Sequence, residues 1–534
     1  MNSFWTARGV LVGGVLVALI APAGHGQAKD TLKQHYGAAT QYFRSGDQQR
    51  AADEYRQFLA EALHRIANGT AGSKNFDSAL RLYEKALQFA PNNFALKFDY
   101  AQACFDADRL VQAKSLAQAV VESNPNPQTR LLLGRVLFRL GEYKAAKTQW
   151  ENAFSEKPEF STGYLLAKTY LLLHQDKRAR ALFGEMTRQF GDTSETHVYF
   201  GRAYSDSGYP DEAVAEFNNA MAKDERAPDA HYYLGLTYLG HNEAAGYAKA
   251  VPEFRAEVER NPRDFRSHYM LGYIALKQHR LVEAERELRT ALSAQPRDVQ
   301  TILQLATAYD EENRLEEAES LLRQAISLAG NRPQELGRLS RAHYLLGRVL
   351  TKTHQQDEAR REMAIVADIQ KRLGPSSAQT TGGKPNQESN TPPADIPAEQ
   401  LQQLQAFIAG LRPAIADAYN NLGAISAGEG DFARAVTLFR DAAEWDSSLE
   451  GIDRNIGRAA LLAGQYEQAV PPLSRYLKEH PQDVSARSVL ALALFHLNEY
   501  QKVVEVLSPI ANAVQADPQL ANAYAVSLSK TKQK

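Results

Sequence analysis

A small residue returns every 33 or 34 positions along most of this chain, and a period of that length restricts the fold to stacked two-helix units. The mark sits inside apolar–polar runs such as Asp211-Glu-Ala-Val-Ala-Glu-Phe217. Its copies are Ala51, Ala79, Ala113, Ala146, Ala179, Ala213, Ala250, Ala284, Ala318, Ala359, Ala435, Ala469 and Val503, and eight of the twelve gaps are 33 or 34 residues. Twelve residues earlier stands Gly or Ala in twelve of thirteen copies, among them Gly134, Gly201, Gly272, Gly347, Gly423 and Gly457. The exception has Gly235 fifteen residues before Ala250, as though three residues had entered the turn around His241. Four residues after the mark a large side chain often stands, as at Tyr83, Trp150, Phe183, Phe217, Phe254 and Phe439. Twelve after it, six copies carry Pro91, Pro125, Pro158, Pro262, Pro296 or Pro481.

Each offset has a physical reading. Gly marks one amphipathic helix and Ala the next, joined by a short polar turn such as Asp206-Ser-Gly-Tyr-Pro-Asp211. Small residues at both marks let the helices approach closely, and the large residue is expected to fill the gap to the neighbouring hairpin. Proline ends the second helix, because it lacks an N–H and clashes with the preceding turn. A single hairpin cannot bury its apolar faces, so neighbours must stack.

Ala418-Tyr-Asn-Asn-Leu-Gly423 and Gly430-Asp-Phe-Ala-Arg-Ala435 resemble the two helices of the tetratricopeptide repeat family, and the resemblance runs from about residue 32 to the end. It implies an all-α fold, a right-handed superhelical solenoid of about thirteen stacked helix-turn-helix repeats. The family's early tryptophan is absent from every copy. The first gap, 28 residues, predicts one long helix through Ala51 and Ala67.

Three segments depart from the period. Residues 1–28 have Arg8, then the apolar run Val10 to Ile20, then the small residues Ala21, Ala23 and Ala28, which is the pattern of a secretory signal peptide. Cleavage is expected after Ala23 or Ala28, leaving a periplasmic or secreted protein with no membrane span. A retained anchor is the rival reading, although the apolar run is shorter than the roughly 20 residues that span a bilayer. Residues 373–397 are a Pro/Gly/Ser/Thr/Gln-rich linker read as disordered, separating an array at 29–372 from a second at 398–534. The tail Leu520 to Leu528 reads as an extra half-hairpin covering the exposed end.

The chemistry-bearing residues point away from catalysis. The chain has 61 Lys+Arg against 63 Asp+Glu, so no long-range field steers it onto nucleic acid. Cys104, the one cysteine, occupies a place where other copies carry tyrosine, and reads as a small buried packing residue. Thirteen histidines are scattered without metal-ligand spacing. Gly428-Glu-Gly-Asp-Phe-Ala433 matches a dinucleotide signature in letters only, since it lies in an inter-helix turn with no strand before it. No cofactor, no metal and no enzyme activity are expected.

The family resemblance implies that first helices line a concave face where peptides or partner helices bind. Positions around the Gly/Ala mark there are rich in aromatic and basic side chains. They include Phe98, then Arg135, then Tyr164 and Lys168, then Tyr199 and Arg202. Further on come Tyr232, Tyr269, Tyr273 and Lys277, and finally Tyr344 and Arg348. Tyr and Arg suit interface hot spots, and the same residues also suit helix-on-helix packing; both readings stand at this point. A carboxylate clamp built from Asn420, Asn421, Asn455, Arg454 and Arg458 fails for want of lysines in register. The expectation is an exported scaffold that binds a protein or peptide, in envelope assembly, secretion or polysaccharide export. A self-assembling envelope protein is the alternative, and a regulatory subunit of an enzyme complex a more distant one.

Overall fold

A computed structural model describes residues 31–240, 243–330, 335–373 and 397–532. The signal segment 1–28, the turn at His241 and most of the linker lie outside those residues. Among the described residues the secondary structure is helical, without a strand. The helices run in antiparallel pairs, each packed mainly on its own partner and, within a compact unit, on neighbouring pairs.

The offsets translate directly into helix ends. The six marked prolines each lie two residues past a second helix, as Pro158 does after Tyr143–Glu156 and Pro296 after Leu281–Ala294. The first long gap is one helix, Gln48–Gly72, whose two halves serve two successive hairpins. The tail forms the helix Pro518–Lys532. Asn or Asp caps several first helices, as Asp264 does by accepting from the Ser267 amide at 2.8 Å.

The large residue behaves differently from the expectation. Phe217 lies over Gly201 of its own hairpin, so close that a Cβ on Gly201 would stand 2.6 Å from the ring. Phe254 over Gly235 and Phe439 over Gly423 repeat the arrangement, at 2.8 and 2.7 Å. The glycine leaves a slot the ring fills, and the far side of the ring then meets the next hairpin, where Tyr233 stacks on Phe217 at 6.4 Å.

One regularity was hidden in varied residue types. Five residues before the mark the backbone turns left-handed in every hairpin but the one containing Ala250, using Gly at positions such as Gly208 and Gly464 and otherwise Asp108, His174, Asn313 or their equivalents. That single αL residue closes the helix-to-helix turn.

The helices divide into two compact units. One holds residues 126–373, seven hairpins in sequence. The other joins residues 31–125 to residues 397–532. The second array of the sequence reading is therefore not a separate body, because its opening helix, Ala398–Gly428, packs on Gln48–Gly72. Asp417 takes the hydroxyl of Tyr36 at 2.8 Å and the amide of Asn421 at 2.9 Å, and Asn421 also donates to Tyr55 at 2.9 Å. Tyr419 meets Phe89 edge to face at 5.6 Å. Lys85 reaches Asp441 at 2.8 Å and Glu444 at 2.6 Å. Amphipathic faces announce that they will be covered without naming the cover, so the sequence could not specify this docking.

Candidate protein-binding face

The candidate residues lie on first helices, beside the Gly or Ala mark of each. Phe98 belongs to the unit that joins the two chain ends and stacks, half-buried, on Phe94 at 6.3 Å. The other eleven lie in residues 126–373.

Four of them pack inward. Lys168 is buried, with its ammonium 2.7 Å from Asp206 and 5.9 Å from the ring centroid of Phe138. Tyr232 is buried with the Arg266 guanidinium 4.5 Å over its ring. Tyr269 and Tyr273 are buried and stacked at 6.4 Å, and Gln300 donates to the Tyr269 hydroxyl at 3.3 Å. For these four the helix-on-helix reading describes the contacts, because side chains longer than Gly or Ala beside the slot reach the next first helix.

The others form the accessible part. Arg135 is half-buried on Pro127–Arg139. Tyr164 meets Tyr199 edge to face at 5.7 Å, and Phe160 meets Tyr199 at 5.2 Å. Arg202 lies between two rings, 5.6 Å from Tyr199 and 4.5 Å from Tyr233. Lys277 is exposed and sits 5.5 Å over Tyr273. Tyr344 is 46% exposed, unusual for so large a ring here. Arg348 bonds the Asp310 carboxylate at 2.8 Å, and Lys352 joins the same carboxylate. The cation–π contacts of Arg202 and Lys277 hold those cations against rings at the surface.

Sequence reasoning missed Tyr233, Arg266, Asp310 and Lys352. The missing signal was opposite charge 38 residues apart, one repeat plus one helical turn, which pairs Lys168 with Asp206 and Asp310 with Arg348. Of the clamp residues, Asn421 is spent on Asp417 and Tyr55, while Asn455 donates to Asn420 at 3.1 Å. Burial, with Arg454 close by, holds the Arg458 guanidinium below its usual range. Cys104 is buried and its thiol is pushed up to about 12 by burial, which suits packing and not nucleophilic chemistry.

Five hairpins, four of them among those that carry this face, are pinned by a second recurring device. A histidine four residues before the Gly/Ala mark donates from Nδ1 to a glutamate three residues after the second mark. His197 meets Glu216 at 2.5 Å, His231 meets Glu253 at 2.6 Å and His268 meets Glu287 at 2.7 Å, while His343 pairs with Glu362 and His35 with Glu54. Among the described residues no cluster of three His, Cys, Asp or Glu side chains is placed to hold a metal ion.

His268 carries a resolved consequence. The hydrogen bond to Glu287 holds the imidazole above its usual range. Burial would raise Glu287, and the bonds from His268 and Arg286 outweigh it and hold that carboxyl below its range. A raised histidine contributes stability fully below about 6.5, and the contribution is lost as pH rises through the folded value. A lowered glutamate contributes above about 4.5 and is lost as pH falls. The pair is thus strongest between those limits. Moving from pH 6 to pH 8 is expected to cost this hairpin about 1 kcal/mol, read as a drop in denaturation midpoint that is smaller in His268→Gln. Equal drops in both proteins would remove the pair from the account.

Sequence models of the tetratricopeptide repeat match residues 71–136, 275–339 and 460–526, residues 200–246 and 243–299, residues 415–444, and residues 127–152. This chain is a tetratricopeptide repeat protein. A cell division cycle protein 27 homolog of Caenorhabditis elegans is 25% identical over 156 residues, which is 29% of this chain. The match spans only 19% of that protein's length. Among solved structures, MamA from Desulfovibrio magneticus RS-1 is 22% identical over 35% of this chain and 98% of its own, with a TM-score of 0.30. YrrB, described as a tetratricopeptide repeat protein with an unusual peptide-binding site, is 21% identical over 35% of this chain and 92% of its own, also at 0.30. A tetratricopeptide repeat protein of Parabacteroides merdae is 15% identical over 54% of this chain and 99% of its own, at 0.32. None of the helices described in this tetratricopeptide repeat chain is long and apolar enough to cross a membrane.

Proposed function

We propose that this chain is an exported interaction scaffold that binds protein or peptide segments on the first helices of residues 126–373. The observation that carries the reading is the accessible row of tyrosines and cations, with Tyr344 46% exposed and Arg202 held between two rings. Such side chains supply contact area and hydrogen bonds together, at little entropic cost when already stacked. Envelope assembly, secretion and polysaccharide export are settings that suit an exported scaffold. Export itself is supported by the signal-like pattern of residues 1–28, and protein recovered outside the cytoplasm is expected to begin at Gly24 or Lys29.

The test is photocrosslinking in living cells, with a benzophenone side chain placed at Tyr344 or, as control, at Ile365 on the second helix Gln356–Leu373. Adducts with other proteins are expected from position 344 and few from 365. Similar adducts from both would sink the first-helix reading. Adducts with further copies of this chain alone would favour the self-assembling alternative.

A further inference from the structure

We propose that Arg341, Tyr344, Arg348 and Lys352, on the helix Leu336–Lys352, form a docking stripe for a short acidic segment of another protein. The proposal rests on the protein-binding reading above and narrows it to one chemistry.

The first support is a separation of charge that the whole-chain balance conceals. In residues 126–373 the first helices carry eleven Lys and Arg against four Asp and Glu. The second helices carry seventeen against twenty-one. One layer therefore sums to +7 and the other to −4, although the chain as a whole is −2. Six of these eleven cations already meet carboxylates of the fold, namely Arg130, Lys168, Arg266, Arg338, Arg348 and Lys352, so internal pairing explains part of the segregation and not the surplus. The surplus suits a complementary anion.

The second support is the geometry of the stripe. Spacings of three, four and four residues put the four side chains on one helix face. Tyr344 is 46% exposed, and the side chains of Arg348 and Lys352 are 43% and 42% exposed. Both cations lean on one carboxylate, Asp310, which is only 3% exposed. One buried charge against two half-exposed ones leaves a surplus positive charge, already oriented. That pre-orders the site, so a partner's carboxylate need not immobilise a free long side chain. Lys277, two hairpins earlier and stacked on Tyr273, extends the positive surface along the same layer.

The third support is size. Eleven residues of helix rise about 16 Å, the length of about five residues of extended chain. Carboxylates two apart on such a strand recur about every 7 Å, close to the one-turn spacing of the cations. A nucleic acid would track a longer phosphate path and meet the net negative second-helix layer.

Anisotropy with the purified chain and a fluorescein-labelled ten-residue Glu/Asp peptide tests this. Comparators are a Lys peptide, a Gly-Ser peptide and a single-stranded decanucleotide. The acidic peptide is expected to bind about tenfold more tightly than each comparator, and to weaken as salt rises from 50 to 300 mM. Arg341→Glu and Tyr344→Ala are each expected to lower its affinity about tenfold or more, with Arg361→Glu on the second helix Gln356–Leu373 changing it less than about twofold. Circular dichroism shows whether each variant keeps its helices. If the neutral or basic peptide binds best and Tyr344→Ala abolishes it, the acidic chemistry falls and the binding face stands. Tightest binding of the decanucleotide, or equal loss from Arg361→Glu, overturns the peptide stripe. If no probe binds, acidic docking falls, and crosslinking from position 344 decides the broader reading separately.

Discussion

Gly201→Ala is expected to destabilise residues 194–223 by about 1–3 kcal/mol, the usual penalty for overpacking a close-packed site. The added Cβ would stand 2.6 Å from the Phe217 ring, which is fully buried and has Tyr233 stacked on its other side. The ring cannot withdraw without disturbing the next hairpin. Helix propensity alone argues the opposite sign, since alanine is favoured over glycine inside a helix by roughly 0.5–1 kcal/mol. The two terms compete at every helical glycine, and local space decides. Gly37, inside Thr31–Ser45, has nothing within 4 Å of its would-be Cβ, so Gly37→Ala is expected to stabilise by about that propensity term. Urea titration of both variants, followed by circular dichroism, checks the pair. Repeats lend stability mainly to their neighbours, so the loss at Gly201 is expected to appear as an early, partial transition. Gly201→Ala combined with Phe217→Leu should recover part of it, because a smaller side chain leaves the slot. A destabilised Gly37→Ala beside an unaffected Gly201→Ala would overturn the slot argument.

The contrast explains why some of this fold could be read from letters and some could not. Gly201, Phe217 and the terminal prolines act through size or a missing N–H, so the residue type is nearly dictated and recurs visibly. The left-handed turn residue is met by Gly208, Asp108, His174, Asn313 or Lys74 alike. Its conformation is constant while its letter is not, so spacing alone hid it. The His–Glu pairs lay between these extremes, since five of thirteen copies repeat the two letters at fixed offsets. At the candidate face the types were legible and the depths were not. Tyr269 and Tyr344 stand at the same offset from the mark, yet one is buried by Gln300 and Tyr273 and the other is open. Depth depends on the hairpin that follows, which a single repeat does not encode.

Cutting the chain between residues 373 and 397, at an inserted protease site, is expected to leave the piece from 397 onward bound to the rest. The reason is the packing of Ala398–Gly428 on the helices of residues 31–89. Tyr419 is wholly buried with its ring on Phe89, and Ile415 and Leu411 of the same helix are buried as well. Each such side chain contributes about 1.5–3 kcal/mol on burial. The ion pairs of Lys85 add little by comparison, since Lys85 is a quarter exposed and Glu444 mostly so. The Asp417 network works differently again. Burial pushes that carboxyl above its usual range, against the bonds from Tyr36 and Asn421. Its folded form thus gains stability toward low pH and loses it as pH rises through the raised value. The network fixes which surfaces meet more than how tightly they hold, and Asp417→Asn is expected to keep the pieces together. Tyr419→Ala removes a buried ring that packs on Phe89, at a cost of about 3–5 kcal/mol typical of aromatic truncation, and should let the cut pieces part. Gel filtration of the nicked proteins at micromolar concentration reads the outcome. Co-elution of the nicked wild type, with separation only for Tyr419→Ala, assigns the docking to apolar burial. Separation of the nicked wild type would mean that the tether, and not the interface, holds residues 397–532 in place.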